Sequence, residues 1–96
     1  MRLIYHPLAA RDAREIAGRY AAISDPLVER FWREIDRAIS AITSRPASHP
    51  FDASCYRRCN LRKFPYHILF EEHAAKVRVI VIRHHQRNPH YGLQRI

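Results

Sequence analysis

Glycine is scarce in this chain: Gly18 and Gly92 are the only two among 96 residues. No glycine-rich loop that would cradle a phosphate can be drawn, and neither a nucleophilic serine motif nor a paired-carboxylate site appears. Cysteine is nearly as rare, with Cys55 and Cys59 alone. Four residues apart on what reads as one strand, they would stand about 13 Å from each other at about 3.3 Å per residue. A disulfide needs Cα atoms within about 7 Å. They therefore read as two reduced, partly buried thiols; zinc held by them with His84, His85 or His90 is the weaker alternative, and no metal or cofactor is expected. No apolar run approaches the roughly 20 residues of a membrane span, and the opening MRLIYHP lacks the apolar stretch of a secretory signal. A cytoplasmic location away from membranes is the expectation.

Acidic residues are also few, nine against 17 Lys and Arg, for a formal charge of +8. The excess is uneven. Residues 1–44 carry seven Arg against six acids, whereas residues 45–96 carry ten Lys or Arg against three acids. Such a field favours nucleic acid or an acidic protein partner, with a solvated basic face as the plain alternative. The length suits a single domain, 1–96, burying roughly two-thirds of its unfolded surface.

What is present is organised around Tyr66–His84. YHILFEE and KVRVIVIRH, rich in Ile, Val, Tyr and Phe and separated by His73-Ala74-Ala75, read as a β-hairpin. Tyr66, Ile68 and Phe70 share one face of the first strand. In the second, Val77, Val79 and Val81 share a face and Arg78, Ile80 and Ile82 take the other. Strands apolar on both faces belong in the middle of a sheet.

Ahead of them, Leu3-Ile4-Tyr5 reads as a short strand, and Pro7 suits the first position of a helix over about Leu8–Ala22. Asp25 is placed to cap a second helix beginning at Pro26 and running to about Thr43. Its apolar stripe includes Phe31, Trp32, Ile35 and Ile39, expected to pack as core on Ile68, Phe70, Val79 and Val81. Residues 44–54 form a loop and Cys55–Leu61 a strand. After His84, Asn88-Pro89 and Gly92 argue for a mobile tail with at most a short helical turn. The fold class is α+β: a strand, a helical hairpin and a three-stranded antiparallel meander.

The residues that could carry chemistry lie on the last strands, their turns and the tail: Arg57, Arg58, Arg62, Lys63, Arg83, His84, His85, Arg87, Tyr91 and Arg95. Cleavage of RNA by its own 2′-hydroxyl needs a base, an acid and cations at the phosphate, all available from Arg, Lys, His and Tyr. The same set serves equally to grip phosphate or an acidic protein surface.

Tyr56-Arg57-Arg58, Phe64-Pro65-Tyr66-His67-Ile68-Leu69-Phe70, Val79-Ile80-Val81-Ile82 and Arg83-His84-His85-Gln86-Arg87-Asn88-Pro89, in this order behind two helices, resemble the RelE/ParE superfamily of bacterial type II toxins. The resemblance implies a toxin neutralised by a cognate antitoxin, with which it forms a hetero-oligomer. RelE-like members are metal-free endonucleases acting on messenger RNA in the ribosome. Carried over, Arg58 stands for one catalytic lysine, Asn60 replaces the other, and His67 replaces an arginine. Arg87 fits the arginine after the last strand and Tyr91 stands near the tail tyrosine, so the nuclease alternative would use Arg58, His85, Arg87 and Tyr91. ParE-like members inhibit DNA gyrase, and Tyr56-Arg57-Arg58-Cys59 with His85-Gln86 looks more like that branch. Its target-binding set would be Arg57, Arg58, Arg62, Lys63, Arg83, His84 and Arg87.

Overall fold

The computed structural model describes residues 1–96. In chain order it has β1 (Arg2–Tyr5), α1 (Pro7–Ala21), α2 (Asp25–Ser44), a 3₁₀ turn (Pro46–Ser48), β2 (Arg57–Asn60), β3 (Tyr66–His73) and β4 (Lys76–His84). The four strands form one sheet in the order β1-β4-β3-β2. β1 runs parallel to β4, and β2, β3 and β4 form the antiparallel meander. The hairpin is central and the class is α+β, as the two-sided apolar pattern requires.

Both helices begin on a side-chain cap followed by proline. His6 Nδ1 accepts the Leu8 N–H at 3.0 Å ahead of Pro7. In the second, Ser24 rather than Asp25 is the cap: its Oγ accepts the Leu27 N–H at 3.2 Å. The hydroxyl satisfies one of the N–H groups that the first helical turn leaves free, and Asp25 becomes the first residue of the helix.

The helices cover one face of the sheet. Phe31, Ile35, Ala38 and Ile42 from α2 and Ala9, Ala13, Ile16 and Ala17 from α1 join Ile68, Phe70, Val77, Val79 and Ile82 in one buried cluster. Full burial of each Ile, Val or Phe contributes about 1.5–3 kcal/mol. Two expected members are elsewhere. Trp32 is 38% exposed, its ring tilted against Phe31 at 5.4 Å, because it lies at the border of the α2 stripe. Val81 faces away from the helices. The register shifts between Leu69 and Phe70, which pair with Val81 and Val79, so that Ile80 is the extra residue of a bulge. An added residue reverses the inward–outward alternation beyond it, sending Val81 and Arg83 to the far face and Ile82 to the helices.

The shortage of glycine leaves its mark on the turns. Ala74 (φ 51) and Ala75 (φ 62) close the β3–β4 hairpin in left-handed backbone, as do Lys63 (φ 64) in the β2–β3 turn and Cys55 (φ 72) before β2. A two-residue hairpin turn whose strands keep their right-handed twist needs positive φ at both positions, and alanine meets the geometry with strain. Cys55 therefore lies outside the strand, exposed in a turn, while Cys59 is buried within β2.

The tail is held rather than mobile. Successive turns, with N–H to carbonyl bonds from Tyr91 to Asn88, Leu93 to His90 and Arg95 to Gly92, carry it back along β4. β1 ends at Tyr5, so β4 beyond Val79 has no neighbour on that side. Asp12 and Arg95 supply one: the Ile82 N–H donates to Asp12 Oδ2 at 3.1 Å, and Arg95 donates to the Ile80 carbonyl at 2.9 Å. The two side chains also pair with each other, at 2.6 and 3.1 Å, with side-chain exposures of 5% and 6%. Tyr91 Oη donates to the same carboxylate at 3.0 Å.

Candidate functional site

On the sheet face away from the helices, β2 presents Arg58 and Asn60, β3 His67 and Leu69, and β4 Val81 and Arg83, with His85 just past the strand. Alternation along paired strands puts these positions side by side. The loop before β2 adds Asp52, fixed by its Oδ2 accepting the Ser54 N–H at 3.0 Å and its own N–H donating to the Tyr56 carbonyl.

These side chains form one hydrogen-bonded chain. Arg83, 5% exposed, donates Nε–H to His67 Nε2 at 3.0 Å. Since arginine can only donate, His67 Nε2 is an acceptor and its proton sits on Nδ1. That proton faces His85 Nδ1 at 2.9 Å, across rings only 5° from parallel. His85 Nδ1 must then accept, which places the His85 proton on Nε2. Arg58 brackets the other side, donating to Asn60 Oδ1 at 2.7 Å and Asp52 Oδ1 at 3.1 Å, with a further N–H 3.3 Å from His85 Nδ1.

Burial, reinforced by the positive charges of Arg58 and Arg83 and by His85, lowers the His67 imidazole to about 3, so it is neutral at physiological pH. Burial and Arg58 lower His85 in the same direction. Burial would raise the Asp52 carboxyl, but the hydrogen bonds from Ser54 and Arg58 outweigh it and hold the group below its ordinary value. The cluster is thus a carboxylate, two arginines and two neutral histidines.

The structure brings Arg58, Arg83 and His85 together on the far face and gathers His84, Arg87 and Tyr91 with Arg83 at a second place, while Arg57, Arg62 and Lys63 stand apart. Arg57 donates to the Ala47 and His49 carbonyls at 3.4 and 2.7 Å and lies over the Phe51 ring at 4.1 Å. His84 is on the helix side against Tyr66, 5.2 Å between rings. Arg87 stacks on Tyr91 at 4.1 Å, and the two line a small cleft of about 70 Å³ together with Arg83, His84, Glu15, Arg19 and Tyr66. Arg62 and Lys63 occupy the β2–β3 turn next to α2. Asp52 and Asp12, neither marked by a local motif, complete the two charged clusters. Asp12 meets Ile82, Tyr91 and Arg95 from the far end of the chain, and Asp52 reaches Arg83 only because the loop before β2 folds over the sheet.

Residues 3–89 match the family described as ParE toxin of type II toxin-antitoxin system, parDE. No curated protein matches the sequence. With the match running from β1 through the whole meander, the chain belongs to the ParE toxin family of type II toxin–antitoxin systems.

Proposed function

We propose that this toxin arrests growth by binding DNA gyrase, and that it does so without catalysis of its own. The observation that carries this is the internal pairing of the far-face cluster. Arg83 is committed to His67, Asp52 and the Pro89 and Tyr91 carbonyls, and Arg58 to Asp52 and Asn60. A site that cleaves RNA needs cations free to meet a phosphate and an acid or base poised near neutral pH. Here an ionised carboxylate sits between the two arginines and would repel the phosphate. His85 alone is exposed with an Nε2 proton not already donated. It is the one residue that favours the endonuclease reading.

Family membership brings an antitoxin partner. The helical side offers it a shallow, mostly apolar hollow of about 170 Å³ lined by Tyr5, Ala10, Ala13, Trp32 and Ile35 with Arg14, suited to an amphipathic segment that folds as it binds.

The test runs two assays in parallel on purified toxin: supercoiling of relaxed plasmid by gyrase, and cleavage of messenger RNA with and without ribosomes. Inhibition of supercoiling, relieved by antitoxin, is expected. In that assay His85→Ala should lose only a few fold, as one contact among many. Ribosome-dependent cleavage, lost about 100-fold or more in His85→Ala, would establish the endonuclease instead.

A further inference from the structure

A second cationic surface lies apart from the far-face cluster. Arg30, Arg33 and Arg37 follow one another at i, i+3 and i+7 along α2, and the β2–β3 turn sets Arg62 and Lys63 beside them across a groove of about 330 Å³. Glu34 is the only acid lining it, and that carboxylate is already used. It accepts both Nε–H and Nη2–H of Arg37 at 2.7 Å and the Arg62 backbone N–H, which ties the turn to the helix. Arg30, Arg33, Arg62 and Lys63 are exposed and take part in no ion pair.

Five cations gathered around a single carboxylate that Arg37 already engages leave four in excess, and their mutual repulsion calls for a polyanion. Two kinds present themselves, an acidic protein segment and nucleic acid. Phe64, half-buried against Tyr20 and Phe31, is the only hydrophobic residue lining the groove, and the rest of its apolar surface comes from the aliphatic stems of the charged side chains, so the choice rests on the cations themselves. The apolar hollow on the helical side is a separate place. Three of the four free cations are arginine, whose planar fork matches phosphate.

We propose that the groove between α2 and the β2–β3 turn binds the phosphate backbone of nucleic acid, without reading sequence. This surface holds whatever the protein target of the toxin proves to be. The left-handed backbone at Lys63 belongs with it, since a strained turn that lifts a lysine next to the helix is kept where the placement matters.

The experiment is fluorescence anisotropy with a labelled DNA duplex of mixed sequence, a single-stranded RNA of equal length, and polyglutamate of matched charge. Three proteins are compared: wild type, the groove variant Arg33→Ala/Arg62→Ala/Lys63→Ala, and a charge-matched control, Arg2→Ala/Arg45→Ala/Lys76→Ala. Each free cation that meets a phosphate contributes about 0.9 to the salt slope, so four give about 3.6, and binding weakens about 150-fold between 50 and 200 mM salt. The slope should fall to about 0.9 in the groove variant and stay near the wild-type value in the control. DNA bound better than RNA would place a duplex in the groove; the reverse would place a single strand. Equal losses in the groove variant and the control, a flat salt dependence, or polyglutamate bound as tightly as either nucleic acid would overturn the proposal.

Discussion

The proton of His67 fixes the order of everything around it. Because Arg83 donates to Nε2, the imidazole must remain neutral to accept, and with both rings neutral one proton is placed between His67 and His85. The sign of the pH effect follows. The folded His67 protonates near 3 and the unfolded residue near 6.5, so between those values the unfolded chain binds more protons and stability falls on acidification. His85 and Asp52, both lowered on folding, act in the same sense over their own ranges. The slope for His67 alone approaches about 1.4 kcal/mol per pH unit in that window. Urea unfolding from pH 7 down to pH 4.5 should show the decline in wild type and a shallower one in His67→Gln; parallel curves would count against a buried neutral histidine.

At the scale of elements, the end of β4 is where side chains do the work of a missing strand. Asp12 from α1 and Arg95 from the tail bond the backbone groups that β1, stopping at Tyr5, leaves open. Removing one member leaves the other as a buried, unpaired charge, which costs about 3–5 kcal/mol. Arg95→Ala and Asp12→Ala should each destabilise by that order. The double variant should cost clearly less than the two singles added together, and a double-mutant cycle by denaturant unfolding would measure the coupling. Gly92 belongs to the same device: at φ 84, a Cβ there would stand 2.7 Å from Val81 Cγ2.

This region also marks how far the sequence could be read. The element order, the two capped helices and the central hairpin were legible, because proline, serine and the periods of 3.6 and 2 are local signals. The bulge at Ile80 was not, because a continuous run of Val and Ile reads the same with or without one. The order of the tail is hidden for a related reason. Asn88-Pro89 and Gly92 do break a helix, but Arg83, Asp12 and the Ile80 carbonyl hold the result in place, and these lie 6, 79 and 15 residues away from their partners. Of the candidate site, the charged residues were visible as a group. Their division between the far face, the α2 groove and the Arg87–Tyr91 stack depends on which face each strand turns outward.

For the molecule as a whole, charge and apolar surface are separated. The +8 excess lies mostly on residues 45–96, whereas the apolar hollow is built from β1, α1 and α2. A partner segment carrying both acidic and apolar residues would be drawn by the first and held by the second. Stopped-flow mixing with the antitoxin should give an association rate that falls steeply between 50 and 500 mM salt while dissociation changes little. An association rate indifferent to salt would rule out steering.

The parallel pairing of β1 with β4 has a consequence for how the molecule comes into being. Residues 2–5 are synthesised well before residues 76–79, their only strand neighbour, and the meander is joined to β1 through β4 alone. A nascent chain shorter than that holds two helices and the β2–β3 pair without the central strand β4 on which α1 packs. Even at residue 84 the edge of β4 still waits for Arg95. Closure of long-range pairs comes late in any case. Translation reinforces that order, because the far face draws Arg58, His67 and Arg83 from three strands and cannot close before β4 has been made.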